Sequence, residues 1–239
     1  MATHEEFSAP KPGNALAVFC RAPRLGAVKT RLAKTLGNTF ALELYTAMLR
    51  DSFALGRSLA PEVETFACFT PSDAFEVEES LRALWDGPSI AQREGDLGAR
   101  MLDCFRQLRE QGYKKIAIIG SDSPDLPEAR LRKAYELLDS YKVTVGESYD
   151  GGFYLIGASV LPPTDIFKGI TWSSDDVMHH LLLNLKNSRL GVTARLLPSW
   201  HDVDDEKDLE ALKHRLFTVG THAPHTREFL SQQESPALD

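Results

Sequence analysis

The sequence predicts an α/β fold: a three-layer, Rossmann-like sandwich in which helices cover both faces of a mainly parallel mixed sheet. Short apolar runs typical of strands alternate with amphipathic helical segments from one end of the chain to the other, and repeated βα units favour parallel strands joined by crossover helices. The length of 239 residues suits a full core. We expect a single domain over residues 1–217 and a mobile or loosely packed tail at 218–239.

Hydrophobic periodicity places the elements of the first half of the chain. The apolar run at 15–19 predicts a buried strand, and apolar residues at helical spacing predict a long helix at 39–59. Further strands are expected at 63–70 and 89–92, and further helices from near residue 28, at 73–84 and at 97–110.

The second half follows the same alternation. The segment KKIAII at 114–119, with its continuous apolar run IAII, predicts a buried strand that ends in the polar loop GSDSPDLP. Helices are expected at 128–139, 175–187 and 205–217, and strands at 142–146, after the glycine turn at 150–152, and at 191–197.

Composition excludes several classes of protein. The net charge of −7 argues against non-specific binding of nucleic acid, which needs a broad basic face. Apolar runs stay well short of the ~20 residues of a membrane span, and the N-terminus is polar and acidic, unlike a secretory signal. Three cysteines without metal-ligand spacing favour buried, reduced thiols. A cytoplasmic protein is the resulting expectation.

The loop after the first strand is unusually basic for an acidic protein. It holds Arg21, Arg24, Gly26, Lys29 and Arg31 just where a helix begins. A strand-to-helix turn directs backbone N–H groups at a ligand, and arginine forks beside them favour phosphate. The alternative is a solvated basic loop. A glycine directly before the lysine is missing, which makes a Walker A loop a weak interpretation.

Carboxylates follow the strand at 114–119 and recur near the C-terminus. Asp122 at a strand end suits a divalent cation that bridges to phosphates, whereas Asp125 is better explained as a helix cap. Asp202 and Asp204 share one face of an extended segment, so either can complete a metal site. Capping of the last helix by Asp204 or Asp205 is an equally good explanation.

The turn formed by Asp150, Gly151 and Gly152 allows close approach of a ligand, although a simple hairpin needs no further role. Tyr154 follows the turn and offers a hydroxyl. Trp172 can stack on a ring or only pack, and the serines at 173 and 174 are candidate caps of the next helix.

Together these segments resemble the GT-A-type nucleotide-diphospho-sugar transferase superfamily, and in particular a bacterial branch of predicted glycosyltransferases near the molybdenum-cofactor and phospholactate guanylyltransferases. The resemblance covers residues 15–212. Its motifs are FCRAPRLGAVKTRL (19–32), GDLGARM (95–101), GSDSPDLP (120–127), DGGFYLIG (150–157) and DVDDEKDL (202–209).

The resemblance implies roles for individual residues. The basic-loop residues Arg21, Lys29 and Arg31 would hold nucleotide phosphates, and Asp122 and Asp204 would bind Mg²⁺ or Mn²⁺. The segment with Gly95, Asp96 and Arg100 would lie near the nucleotide. Residues 150–152 would lie beside the acceptor, as would, in our interpretation, Tyr154 and Trp172.

Three functions remain open from the sequence. The favoured one is metal-dependent glycosyl transfer from a nucleotide-diphospho-sugar to a small-molecule acceptor, with Lys29 and Asp150 as candidate catalytic residues. The second is nucleotidyl transfer from a nucleoside triphosphate with release of pyrophosphate. The third is an accessory protein that binds nucleotide without turnover. A dinucleotide-dependent oxidoreductase is a weak fourth, because the first βα turn has no G-x-G-x-x-G motif.

Overall fold

Strands and helices alternate in the computed structural model, which describes residues 13–70, 79, 81–188 and 194–234. The predicted helix at 73–84 lies largely outside the described residues. In chain order the elements are β1 (Asn14–Cys20), α1 (Thr30–Leu36), α2 (Asn38–Arg57), β2 (Val63–Phe69), β3 (Ser89–Ala91), α3 (Leu97–Glu110), β4 (Lys115–Gly120), α4 (Glu128–Leu137), β5 (Val143–Ser148), β6 (Phe153–Ala158), α5 (Val177–Asn187), β7 (Ala194–Trp200), α6 (Glu206–His214), a π-helical turn (Arg215–Val219) and α7 (Pro224–Glu234).

The seven strands form one sheet in the order β3-β2-β1-β4-β6-β5-β7. Strand β1 pairs in parallel with both β2 and β4, and β5 pairs in parallel with β7. Strand β6 is antiparallel to its two neighbours, β4 and β5. The sheet is therefore mixed and mainly parallel, which confirms the predicted fold class.

Two apolar layers cover the faces of this sheet. Alternate residues of β1 point to opposite faces: Ala15 and Ala17 pack with α3 and α5, and Leu16 and Val18 pack with α2 and α4. All four β1 residues are completely buried. Because central parallel strands are covered on both sides, they appear in the sequence as continuous apolar runs rather than alternating ones.

Local capping explains where several helices begin. The Asp96 side chain accepts a hydrogen bond from the Ala99 N–H at the start of α3, and Asp205 forms a capping box with Asp208 at the start of α6. The prediction that a serine at 173 or 174 caps α5 is wrong. Helix α5 starts after Asp176, and the Ser174 hydroxyl donates to the Thr171 carbonyl instead.

Within the segment 218–239, for which the sequence predicts a mobile or loosely packed tail, residues 224–234 form a packed helix. Helix α7 packs on α2, where Leu230 is fully buried and the rings of Phe229 and Phe40 lie 5.2 Å apart. The N-terminal N–H groups of α7, from His225 and Thr226, donate to the carboxylate of Asp51 on α2 at 3.0 and 2.8 Å. The Asp51 carboxylate thus satisfies N–H groups at the start of α7 that have no acceptor within the helix, and it holds this helix against α2. Residues 235–239 lie outside the described part.

The three cysteines, Cys20, Cys68 and Cys104, are buried and free. Across the ranges that the structure describes, no helix is both long and apolar enough to cross a membrane.

Candidate functional site

A cavity of about 570 Å³ opens at the carboxyl edge of the sheet. Its floor comes from the ends of β1 and β4, and its walls come from the loop before α1, the start of α3 and the start of β6. This edge, where neighbouring strands lead into different crossovers, is where α/β sheets bind their ligands. The volume lies in the range typical of small-molecule sites.

Three guanidinium groups line this cavity, from Arg21, Arg31 and Arg100. Arg100 is oriented by a 2.8 Å hydrogen bond from its Nε to the Gly95 carbonyl. Among the described residues, no carboxylate lies within ion-pair distance of any of the three. Unpaired arginines on the wall of one cavity provide charge and N–H donors for an anion such as phosphate.

The loop that carries Arg21 is held by a buried tyrosine. The Tyr45 hydroxyl accepts a hydrogen bond from the Arg21 N–H at 2.8 Å and donates one to the Arg21 carbonyl at 3.1 Å. The Ser121 hydroxyl, at the end of β4, lies 3.4 Å from the same tyrosine oxygen. Helix α2 thereby fixes the basic loop relative to the loop after β4.

Lys29, Asp122 and Asp204 meet in the cavity wall. The Lys29 ammonium lies 2.5 Å from Asp122 Oδ1 and 3.3 Å from Asp204 Oδ1, and it donates to the Val203 carbonyl at 2.5 Å. Burial lowers the pKa of Lys29, but the two carboxylates outweigh this effect and raise the pKa above its ordinary value. Lys29 is therefore a charged, internal partner of the two aspartates.

The carboxylate pair fits a hard divalent cation in its donor chemistry. Asp122 and Asp204 converge on one cation, the Lys29 ammonium, and their side chains are 47% and 45% exposed, so oxygen atoms remain accessible. No group of three or more Asp, Glu, His or Cys side chains with metal-site geometry occurs in the described ranges. Two carboxylates completed by substrate phosphates and water are an ordinary arrangement for Mg²⁺.

The loop that carries Asp122 is held in place by hydrogen bonds to the nearby residue Asp125. Asp125 is buried and receives two hydrogen bonds from Arg215, at 2.7 and 3.2 Å, and one from the Thr221 hydroxyl at 3.1 Å. The predicted capping role of Asp125 is wrong, because α4 begins after Pro127 without a side-chain cap. The carboxylate instead ties the loop to the π-helical turn.

A second acidic group lies beside Asp204. Burial, together with the negative charges of Asp150 and Asp204, raises the pKa of Asp202 to about 7. Asp150 Oδ1 accepts the Gly152 N–H at 2.9 Å and the Ser148 hydroxyl. Asp150 thus stabilises its own turn with one oxygen.

Comparison with known proteins gives the same fold and a match to one family model over part of the chain. A family described as "Uncharacterized protein conserved in bacteria (DUF2064)" matches residues 57–174. A crystal structure from Desulfovibrio desulfuricans G20, provisionally assigned as a nucleotide-diphospho-sugar transferase, is 29% identical, with a TM-score of 0.84 over 93% of this chain and 96% of that one. These findings support an enzyme of the transferase kind with a GT-A-like fold.

More distant structures share the fold of this transferase. A nucleotidyl transferase from Methanothermobacter thermautotrophicus has a TM-score of 0.56 at 18% identity, covering 86% of this chain and 98% of that one. A cytidylyltransferase from Leptospira borgpetersenii has a TM-score of 0.54 at 15% identity, covering 93% and 95%. The curated proteins contain no significant match.

The transferase brings together only part of the residue set predicted from sequence. Those lining the cavity are Arg21, Lys29, Arg31, Arg100, Asp122, Tyr154 and Asp204. The Tyr154 hydroxyl already donates to the Pro198 carbonyl at 3.1 Å. Those outside the lining are Arg24, Gly26, Gly95, Asp96, Asp150, Gly151, Gly152 and Trp172.

The residues outside the lining have evident structural partners. Gly26 has a φ of 75° in a turn closed by the Ala27 N–H and the Arg24 carbonyl. Gly151 has a φ of 87°, and a Cβ there would lie 2.2 Å from the Asp175 carbonyl oxygen. The Trp172 ring packs against Phe167, with centroids 5.8 Å apart.

Sequence reasoning missed several cavity residues of the transferase. Tyr45 lies on the apolar face of a helix and carries no motif, so its hydroxyl gave no signal. Gln92 is buried and donates to the Cys68 carbonyl at 2.9 Å, and Thr70 follows the end of β2. A polar residue directly after a strand on the site edge is the signal that points to both.

Proposed function

We propose that this transferase uses a nucleotide-diphospho-sugar donor, with a divalent cation, and transfers the sugar to a small-molecule acceptor. The observation that carries the proposal is one cavity with two halves of opposite charge. Arg21, Arg31 and Arg100, which have no carboxylate partner among the described residues, lie on its wall, and the carboxylates of Asp122 and Asp204 converge beside them. A diphosphate bridged to a metal ion needs both halves.

The proposed transfer exchanges one bond to the anomeric carbon for another. The acceptor oxygen forms a bond to that carbon and its hydroxyl proton is released to water, the bond from the carbon to the β-phosphate oxygen breaks, and a nucleoside diphosphate leaves with the electron pair. The guanidinium groups of Arg21, Arg31 and Arg100 stabilise the negative charge that grows on the leaving diphosphate. A bound Mg²⁺ or Mn²⁺ would add Lewis-acid stabilisation of the same oxygens, with Asp122 and Asp204 as its protein ligands.

Polar groups at the far end of the cavity suit the base of the nucleotide. Thr70 and Gln92, which directly follow β2 and β3, line the cavity. The Gln92 amide is oriented by its bond to the Cys68 carbonyl, and a fixed amide can accept from or donate to a base edge.

Nucleotidyl transfer is the second candidate, because the same phosphate and metal groups serve attack at an α-phosphorus. The fold relatives named as nucleotidyl and cytidylyl transferases favour keeping it. The two reactions differ in the group released: glycosyl transfer releases a nucleoside diphosphate, whereas nucleotidyl transfer releases pyrophosphate.

The first experiment is thermal unfolding against nucleoside triphosphates, nucleoside diphosphates and nucleotide sugars, each with and without Mg²⁺ or Mn²⁺. A ligand at a hundredfold excess over its Kd stabilises the native state by about 2.7 kcal/mol. We expect a metal-dependent shift with one nucleotide family. Analysis of the released product for nucleoside diphosphate or pyrophosphate then separates the two reactions.

A matched pair of variants on α1 tests the site. Arg31 lines the cavity, whereas Lys34, one turn further along the same helix, is exposed and lies outside the lining. Arg31→Ala should weaken nucleotide binding roughly tenfold or more, the loss expected for a charged hydrogen bond. Lys34→Ala should leave the affinity unchanged. Equal weakening by both variants would contradict a specific phosphate contact.

A further inference from the structure

We propose, on the basis of the function proposed above, that the Lys29 ammonium is a permanent counter-ion of the carboxylate pair Asp122 and Asp204. Its ammonium keeps a free divalent ion out of the site until nucleotide phosphates arrive with the ion. Lys29 is then a positioning residue that couples metal binding to nucleotide binding.

The contacts of Lys29 use its full donor capacity. An ammonium has three N–H groups, and three acceptors surround this one: Asp122 Oδ1 at 2.5 Å, the Val203 carbonyl at 2.5 Å and Asp204 Oδ1 at 3.3 Å. Phosphate would have to displace one of these acceptors. The geometry suits a lysine that holds two carboxylates together better than one that reaches toward a ligand.

Burial separates this group from an ordinary surface ion pair. The Lys29 side chain is only 4% exposed, whereas the two carboxylate side chains are close to half exposed. The cation therefore lies beneath the pair, on the protein side, and the aspartates face the cavity. An incoming metal ion would meet the same two carboxylates from the open side.

The backbone holds the lysine in this position. Lys29 has a φ of 45°, in the left-handed region that non-glycine residues rarely adopt. Val203, which supplies the third acceptor, is fully buried, and its N–H donates to the Asp122 carbonyl at 3.0 Å. The loop before α1, the loop after β4 and the segment before α6 thus meet at one ammonium.

The charges predict the coupling. With the ammonium in place, the pair and Lys29 sum to one negative charge, and the arginines of the cavity oppose a further cation. Nucleotide phosphates add negative charge and oxygen ligands, so a divalent ion binds well only with them. Removing the ammonium leaves two uncompensated carboxylates.

The test is a calorimetric titration of Mn²⁺ into the protein without nucleotide. Lys29→Met keeps most of the side-chain volume and removes the charge. We expect Lys29→Met to bind Mn²⁺ at least about tenfold more tightly than the wild-type protein, because a unit charge a few ångströms away has been removed. The double variant with Asp204→Asn should cancel this gain.

Equal or weaker Mn²⁺ binding by folded Lys29→Met would overturn the inference. If circular dichroism shows that this variant does not fold, the wild-type protein decides: Mn²⁺ must bind at least about tenfold more tightly with a nucleoside diphosphate than without it. Equal affinity in the two titrations would also overturn it. If no nucleotide binds, the proposed function is refuted. The inference about Lys29 is still tested, because the Mn²⁺ affinities of Lys29→Met and the wild-type protein are compared without nucleotide.

Discussion

Single side chains in this protein decide how charge is arranged around the cavity. Asp202 is half-buried near Asp150 and Asp204, and its ionisation is disfavoured by burial and by both neighbouring charges. The Asp202 pKa, about 7, is far above the value of 3.8 for an isolated aspartate. Between about pH 3.8 and pH 7, the Asp202 carboxyl is therefore mainly protonated in the folded protein and mainly ionised in the unfolded chain.

This difference predicts a pH dependence of stability. Because the folded pKa is the higher one, Asp202 costs no stability below about pH 3.8 and destabilises the fold increasingly as the pH rises to about 7. Asp202→Asn should flatten the loss of unfolding free energy across this window, measured by urea denaturation at several pH values without metal. Asp165→Asn, at an exposed position, is the control. An unchanged pH profile in Asp202→Asn would contradict the assignment.

Tyr45 links the core to the basic loop, and its hydroxyl can be removed cleanly. Tyr45→Phe should cost about 1 kcal/mol of stability, the usual value of a lost hydrogen bond, and should also weaken nucleotide binding because Arg21 is no longer fixed. Tyr135→Phe is matched to it: the Tyr135 hydroxyl donates to the Ala15 carbonyl at 2.8 Å, at the opposite end of β1. Denaturation and nucleotide titration of both variants provide the comparison.

The two variants should lose similar stability and differ in nucleotide affinity. Weakened nucleotide binding in Tyr135→Phe to the same degree would show that general loosening, rather than the position of Arg21, is responsible.

At the level of residues, sequence reasoning predicted the right chemical types but few of their contacts. Asp122 and Asp204 were assigned to one site, and they do meet. The contact of Lys29 with both aspartates could not be predicted, because the three residues are far apart in the chain and only the folded loops bring them together. Asp125 was assigned a local cap for the same reason: its partner, Arg215, is 90 residues away.

Helix α7 shows how one element depends on another. The position before its first residue, Pro224, is Ala223, which cannot cap a helix. The acceptor for the first N–H groups comes instead from Asp51, in the middle of α2. The apolar periodicity of α3 predicts both of its ends correctly. The start of α7 has no such local signal in the sequence, because its acceptor comes from a distant helix.

Removing this acceptor should destabilise the docking of α7. Asp51→Ala leaves two helix-end N–H groups of α7, at His225 and Thr226, without an acceptor and should cost about 1–3 kcal/mol. Asp51→Asn, which keeps one oxygen, should cost less. Urea denaturation measures the loss, and faster proteolysis near the C-terminus locates it. Full stability in Asp51→Ala would show that apolar packing alone holds the helix.

At the scale of the whole molecule, the order of the strands in the sheet determines which residues lie on each side of the cavity. The residues that follow β1, β2, β3 and β4 contribute Arg21, Thr70, Gln92 and Asp122 to the cavity, and β6 contributes Phe153 and Tyr154. The mainly parallel sheet was predictable because buried strands and helices alternate. The place of β6 between β4 and β5 was not, because strand order depends on packing between segments that are distant in the chain.

The reversed direction of β6 has a consequence for how such a protein can diversify. Because β6 runs against its neighbours, the tip of the β5–β6 hairpin, at 149–152, reaches the same edge as the ends of β1 and β4. Surface loops tolerate substitutions better than the strands that they connect. The backbone contact of Gly151 with the Asp175 segment limits exchange to its flanks. Substitutions beside this tip can therefore alter this edge of the sheet without changing the segments that carry Arg21, Arg31 and Arg100.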